Sequence, residues 1–114
     1  MKTRGNVKTV IWRPSIIGSA INDPFPGWTD TLSAAGGLAL LTALGLMQVV
    51  RVEGDGETAF DLVPVDYVSN GCLVATAYSA KNKIDFEIYN MATSVRNKIT
   101  FAGFRTIGLR QYST

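Results

Sequence analysis

The chain has 114 residues, which predicts one domain or part of one. Charged residues make up 18 % of it, below the usual share of about 25 %. We therefore expect other parts of a protein, or a membrane, to cover much of the surface. The net charge is +2, and no basic block with interleaved aromatic residues is present, which argues against a nucleic-acid partner.

Cys72 is the only cysteine, and the chain has no histidine. This composition excludes an intrachain disulfide framework and every zinc site built from cysteine and histidine, so we expect no metal. Because no histidine is available to activate it, Cys72 is a poor nucleophile, and we predict a small core residue.

The first predicted element is a strand over residues 7–12, which is rich in β-branched and aromatic residues and is stopped by Pro14. The consecutive apolar residues 10–12 favour a strand covered on both faces, as in a parallel sheet. Residues 16–19 are predicted to lead into a loop.

A stiff loop is predicted over residues 22–28. Pro24 and Pro26 fix their own φ angles and push the residues before them towards extended conformations. The loop therefore holds two aromatic rings, Phe25 and Trp28, in defined positions.

The segment 31–50 carries no charge, and hydropathy alone makes it a candidate for a membrane-spanning helix. The pair of glycines at 36–37 weakens that interpretation, as does Gly45. The alternative is a short helix over 38–43, a turn at Gly45 and a strand over 46–52.

Local signals mark a helix start and a turn on either side of this segment. Thr29 or Asp30 is positioned to cap a helix that begins near residue 31. Residues 54–56 form the only Gly-x-Gly in the chain. Acidic residues fill and flank it, so we predict a turn and not a phosphate-binding loop.

A second helix is predicted over residues 67–80, after an extended stretch over 60–64. Asp66 is placed to cap the amino-terminal end of this helix. Spacing typical of a helix puts several small or apolar residues on one face, which include Val68, Cys72, Ala75 and Tyr78–Ser79.

Residues 84–89 alternate strictly between apolar and polar, which predicts a half-exposed strand. The residues that follow are ambiguous, and 96–114 form an uncertain tail. Strands that alternate with helices predict an α/β fold. The strands are too few for a self-sufficient doubly wound sheet.

Three motifs occur in a fixed order along the chain: Arg-Pro-Ser at 13–15, Pro-Phe-Pro-Gly-Trp at 24–28, and Leu-Val-Pro-Val-Asp at 62–66. Together they resemble the fatty acyl-CoA reductase family, which belongs to the extended short-chain dehydrogenases/reductases. The resemblance covers residues 7–95. It implies that residues 1–114 are a single partial domain: the C-terminal half of a Rossmann-like NAD(P)-binding domain, with an incomplete parallel sheet.

The resemblance also implies an activity, the NADPH-dependent reduction of a long-chain acyl-CoA to a primary alcohol, and it assigns two sets of site residues. Four residues would line the cofactor: Arg13, Pro14, Ser15 and Gly18. Two would line the acyl substrate, namely Phe25 and Trp28, although the same rings would also fit as plugs of the core.

The family's glycine-rich phosphate loop and its catalytic Tyr-x-x-x-Lys pair have no counterpart in this sequence. Hydride reduction needs a bound nicotinamide and a proton donor. We therefore assign no catalytic residue, and we expect the isolated chain neither to bind NADPH nor to reduce an acyl-CoA.

Two interpretations follow from these departures. In the first, the chain is a truncated piece of a reductase, and the missing N-terminal half completes its sheet. In the second, it is a noncatalytic relict that serves as a structural subunit or interaction module, and another protein completes the sheet. The family implies a location at the cytosolic face of the peroxisomal or endoplasmic-reticulum membrane.

Overall fold

The computed structural model of the chain describes residues 5–32, 35–46 and 57–104. The strand predicted over 46–52 lies outside the described residues except for Leu46, and the turn predicted over 54–56 lies wholly outside them. The elements follow in the order β1 (Thr9–Pro14), β2 (Ile16–Gly18), α1 (Ala35–Ala43), β3 (Leu62–Pro64), α2 (Val65–Lys81) and β4 (Phe86–Met91).

The described strands form two parallel pairs, which confirms the predicted α/β class. Strand β1 pairs with β4, with Thr9 opposite Phe86. Strand β2 pairs with β3, with Gly18 opposite Pro64. The prediction that residues 16–19 lead into a loop was wrong for 16–18, because β3 supplies backbone partners that a three-residue segment cannot reveal from its own pattern.

Helix α2 packs on the β1–β4 sheet through Trp12. A Cβ atom at Gly71 would lie 2.7 Å from Cζ2 of Trp12, so the glycine lets the indole lie directly against the helix. The Tyr89 ring also lies near the indole, with 6.1 Å between the ring centroids and a tilt of 53° between the planes. Ala75 and Ser79 continue the buried face of α2 at a spacing of four residues.

The predicted apolar face of α2 was wrong in part. Cys72 is exposed and is not a core residue. The reason is the contact of the indole with Gly71, which turns the adjacent Cys72 away from the sheet. The outer surface of the helix is also apolar, since Leu73 is 69 % exposed and Val74 67 %.

Strand β4 shows the predicted alternation of burial, but it runs from Phe86 to Met91 and not over residues 84–89. Its apolar side chains Phe86 and Ile88 lie on the exposed side. Glu87 and Tyr89 lie on the half-buried side facing α2, and the Tyr89 hydroxyl donates a 2.9 Å hydrogen bond to Glu87 Oε2. An exposed apolar face on a parallel pair is unusual, because parallel sheets are normally covered on both faces.

Helix α1 ends at residue 43, as predicted, but it begins at Ala35 and not at residue 38. The predicted cap at Thr29 or Asp30 was wrong, since residues 31–32 are not helical and the Thr29 hydroxyl donates to the carbonyl of Thr31. The predicted turn at Gly45 is confirmed: its φ is +69°, and the N–H of Leu46 reaches back to the Leu41 carbonyl. This is a Schellman ending, which favours glycine.

Helix α1 has nine residues. Among residues 5–32, 35–46 and 57–104, the structure contains no helix long and apolar enough to cross a bilayer.

Candidate functional site

A cavity of about 190 Å³ lies at the carboxyl ends of β2 and β3. Ligands of open parallel sheets bind at this edge, where the loops leave the strands. The cavity is lined by the end of β2 and the residue after it, by the segment that follows the aromatic loop, by α1 and by the start of α2; the residues are Ile17, Gly18, Ser19, Thr29, Asp30, Thr31, Gly36 and Val65.

A larger cavity, of about 320 Å³, lies near the amino ends of β1 and β4 and is lined partly by Lys8, Val10 and Ser79. Because the loops at this end precede the strands, its position argues against the main ligand site of a parallel sheet. The smaller cavity is therefore the better candidate.

Gly18 is the one member of the six predicted site residues that lines the candidate cavity. A Cβ atom at this position would lie 2.9 Å from the Leu62 side chain, so a larger residue would push β2 away from β3. Gly18 thus sets the spacing of the two strands beneath the cavity floor.

Of the other three residues predicted to line the cofactor, Arg13 and Pro14 end β1, and Ser15 links β1 to β2. Arg13 is exposed, whereas Pro14 and Ser15 are half-buried. The Ser15 hydroxyl donates to Asp61, with 2.9 Å to its carbonyl oxygen and 3.1 Å to Oδ1. Its single hydrogen is therefore committed, and towards a ligand the hydroxyl can offer only lone pairs.

Asp61, directly before β3, forms hydrogen bonds to two other parts of the chain. Besides Ser15, its carboxylate accepts bonds from the Thr93 N–H at 2.8 Å, the Thr93 hydroxyl at 3.0 Å and the Ser94 hydroxyl at 2.7 Å. The Thr93 N–H and the Ser94 hydroxyl are the main reasons that the pKa of Asp61 falls from 3.8 to about 2. The carboxylate fixes the end of β4 against the β1–β2 turn.

The aromatic loop over 20–28 projects next to the cavity. The Ala20 N–H donates to the Trp28 carbonyl, and the Gly27 N–H donates to the Ala20 carbonyl, both at 2.9 Å, so the loop is closed at its base. Trp28 is half-buried and directly precedes the lining residue Thr29, whereas Phe25 is 58 % exposed at the tip.

Asp66 holds this loop from the first turn of α2. The predicted cap was wrong, because Pro64 occupies the N-cap position and makes no side-chain capping bond. The Asp66 carboxylate instead accepts the backbone N–H groups of three consecutive loop residues: Ile21, Asn22 and Asp23. The bond from Asn22 contributes most to lowering the pKa of Asp66.

Asp61 was absent from the sequence-based site, and Asp66 was assigned a different role. The available signal was an aspartate at each end of the short apolar run 62–65. A carboxylate that borders a buried strand must find donors or water. That signal indicates hydrogen-bonded carboxylates, but it does not identify their partners.

Within the described parts of the chain, no group of three histidine, cysteine, aspartate or glutamate side chains is arranged to hold a metal ion. The two buried or half-buried aspartates are engaged by N–H and hydroxyl donors. Their role in this fold is to hold backbone segments in place.

Comparison with known proteins defines the class first. Residues 1–72 match an NAD-binding family that is described as the male sterility protein. Dinucleotides bind at the carboxyl edge of parallel sheets, and the candidate cavity lies at that edge.

The similar curated proteins then identify the family. Fatty acyl-CoA reductase 1 of Gallus gallus is 39 % identical over 92 residues, which is 80 % of this chain and 18 % of that protein. Fatty acyl-CoA reductase 1 of Arabidopsis thaliana is 34 % identical over 113 residues, 98 % of this chain and 22 % of that protein. The chain belongs to the fatty acyl-CoA reductase family, and it spans about a fifth of the length of these relatives.

Proposed function

We propose that this chain forms the substrate-side part of a Rossmann-like NAD(P)-binding domain in an NADPH-dependent, alcohol-forming fatty acyl-CoA reductase. Family membership supports the class of enzyme. The activity is proposed for the whole protein, because the chain spans about a fifth of its relatives.

The observation that carries this proposal is the cavity where β2 and β3 end. The cavity lies at the carboxyl ends of two parallel strands, the edge at which parallel sheets bind their ligands, and Gly18 lines it. The nicotinamide of NADPH would supply the hydride. With a volume of about 190 Å³, the cavity is smaller than the roughly 300–1,000 Å³ of complete ligand sites, so these residues fit one wall of a cofactor site and not all of it.

The acyl substrate would lie along the apolar side chains beside this cavity. Ile17 and Ile21 are exposed there, and so is Phe25. A long alkyl chain gains roughly 0.8 kcal/mol for each CH₂ group that it removes from water, so a fixed apolar wall contributes directly to its affinity. We propose Phe25 and Trp28 as the aromatic part of that wall.

The rest of the reductase would supply what this chain lacks, namely the phosphate-binding loop and the proton donor. It would also cover the apolar side of the β1–β4 sheet, where Phe86 and Ile88 are exposed. We therefore propose that residues 1–114 are one partial domain and that the purified chain alone has no reductase activity.

The first experiment measures the size of the natural product. Antibodies against the peptide of residues 22–30, most of which are exposed, would be used in an immunoblot of source tissue. We expect a band several-fold larger than 12.3 kDa. The immunopurified large product should oxidise NADPH when palmitoyl-CoA is added and release a fatty alcohol, whereas the 114-residue chain should do neither.

A noncatalytic interaction module is the second candidate, and the apolar outer surface of α2 favours it. Leu73, Val74 and Tyr78 are all exposed on that surface, and neighbouring exposed apolar side chains mark surfaces that other molecules cover. A product of 12.3 kDa that co-purifies with another protein and lacks reductase activity would replace the first proposal with this one.

A further inference from the structure

The aromatic loop over 20–28 is connected to the body of the molecule by an unusual set of bonds. Three successive N–H groups converge on one carboxylate: Asn22 donates to Asp66 Oδ2 at 2.9 Å, Ile21 donates to both oxygens at 3.2 Å, and Asp23 donates to Oδ2 at 3.3 Å. The Tyr67 N–H donates to Oδ1 at 3.2 Å. A displacement of the loop breaks several of these bonds together.

We call the bonds from Ile21, Asn22 and Asp23 to Asp66 the tether. The location of Asp66 makes the tether stiff. The residue is 7 % exposed and lies in the first turn of α2, where the helix dipole favours a negative charge. Hydrogen bonds to a charged acceptor are about twice as strong as neutral ones, and partial burial protects them from competition with water. The loop is thus fixed relative to α2 and, through α2, relative to the sheet.

The side chains that the tether positions are not part of the core. Phe25 is 58 % exposed and Ile21 49 % exposed, so fixing them buries little apolar surface within this chain. Ordering exposed side chains costs conformational entropy and yields little packing in return. Such an arrangement is useful where another molecule binds to the ordered surface, because the ordering cost has already been met before binding.

We propose that Asp66 is a positioning residue that presents the aromatic loop as a preformed wall for the acyl chain. It acts through the backbone of the loop and does not itself touch the substrate. The statement about the acyl chain rests on the proposed function, whereas the statement about the loop does not.

The first test uses the 114-residue chain itself, labelled with ¹⁵N. In the Asp66→Asn variant we expect the amide signals of Ile21, Asn22 and Asp23 to move upfield, since each loses a charged acceptor. We also expect the Ala20 and Gly27 amides, which close the base of the loop, to exchange with solvent at least tenfold faster, the factor that corresponds to about 1.4 kcal/mol. Unchanged signals in a folded variant would overturn the proposal.

The matched control is Asp61→Asn. Asp61 accepts about as many hydrogen bonds as Asp66, but its donors are Ser15, Thr93 and Ser94, which lie outside the aromatic loop. This variant should move the Thr93 amide signal and leave the loop amides in place.

A second variant keeps the proposal testable if Asp66→Asn fails to fold. Gly27 has a φ of +85°, and a Cβ there would meet no atom within 4 Å. Gly27→Ala therefore strains the loop backbone without disturbing the core. It should speed exchange of the Ala20 amide while the amides of α2 keep their protection.

The second test uses the longer reductase. There, Asp66→Asn and Gly27→Ala should each raise the KM for palmitoyl-CoA roughly tenfold, which corresponds to about 1.4 kcal/mol. The KM for NADPH should change less than twofold. Asp61→Asn should affect the KM for NADPH more. Equal effects of Asp66→Asn on both substrates would show a general structural role and contradict the proposal.

The two proposals fail in different ways. If the wild-type longer protein does not reduce palmitoyl-CoA at all, the proposed function is wrong, and the amide signals still decide whether Asp66 fixes the loop. If the enzyme is active but the loop variants leave the KM for palmitoyl-CoA unchanged, the proposed function survives and the role of Asp66 in substrate binding is wrong.

Discussion

The layer formed by α2 and the β1–β4 sheet and the aromatic loop over 20–28 are held by different forces. In the layer, the Trp12 indole lies against Gly71, and Ala75 is buried. In the loop, the exposed Phe25 is kept in place by backbone bonds to one carboxylate. Packing depends on volume, whereas the tether depends on charge and direction, so different substitutions should disrupt each region.

The largest effect is expected from Trp12→Ala in the packed layer. Removing a buried tryptophan typically costs about 3–5 kcal/mol, and we expect a loss of about 3 kcal/mol in the free energy of unfolding because Trp12 is only half-buried. Urea unfolding measures this loss. Phe25→Ala in the loop is the control and should stay within about 0.5 kcal/mol. Equal losses would show that packing also holds the loop.

Gly71→Val tests the same contact by adding volume. The new side chain would collide with the indole of Trp12, and overpacking of this kind costs about 1–3 kcal/mol. Ala77→Val, on the exposed side of α2, is the matched control and should cost only the difference in helix propensity, about 0.5 kcal/mol. A smaller loss at 71 than at 77 would mean that Trp12 moves aside freely.

Asp61→Asn should change how stability depends on pH. The pKa of Asp61 is lowered in the fold from 3.8 to about 2, so its contribution to the free energy of unfolding is complete above pH 3.8 and is lost as the pH falls through 2. The variant should be less stable at pH 7 and should lose less stability between pH 4 and pH 2. Chemical unfolding at several pH values measures this.

Ser94→Ala provides a graded control for that experiment. It removes one donor, at 2.7 Å from Asp61 Oδ2, and leaves the carboxylate in place. Its effect should have the same sign as that of Asp61→Asn and a smaller size. An identical acid dependence in the wild type and both variants would show that Asp61 does not contribute to stability through its charge.

The smallest effect is expected at the end of α2, where Lys83 has a φ of +55°. Lys83→Gly should raise the free energy of unfolding by about 0.5 kcal/mol, because glycine adopts this conformation without the clash of a Cβ atom. Lys81→Gly, in the last turn of the helix, should lower it by about 1 kcal/mol. Calorimetry would detect both shifts, and a loss of stability in Lys83→Gly would contradict the reasoning.

The ends of the two helices show what the sequence reveals about the fold. Gly45 predicts the end of α1, because glycine is the residue that a left-handed position favours. Lys83 occupies the equivalent position after α2, with the Ile84 N–H bonded back to the Ser79 carbonyl, but it carries no such signature. Elements with a characteristic residue or a long periodic pattern were predictable, whereas the three-residue strand β2 was not.

The site was less predictable than the fold because its bonds join distant parts of the chain. Asp61 lies 46 residues from Ser15 and 32 from Thr93, and Asp66 lies 44 from Asn22. Local patterns cannot show which donors a carboxylate will meet at such separations. Of the residues that the family resemblance assigned to the cofactor, Gly18 lines the cavity, and its role towards a cofactor stays a prediction.

The pairing of β1 with β4 also has a consequence for synthesis on the ribosome. Thr9 pairs with Phe86, so β1 is made long before its partner among the described strands leaves the exit tunnel. Contacts of such high sequence separation form slowly, and an unpaired apolar strand is prone to aggregate while it waits. We expect nascent chains to stay bound to chaperones until β4 has left the exit tunnel, and to be released once it has.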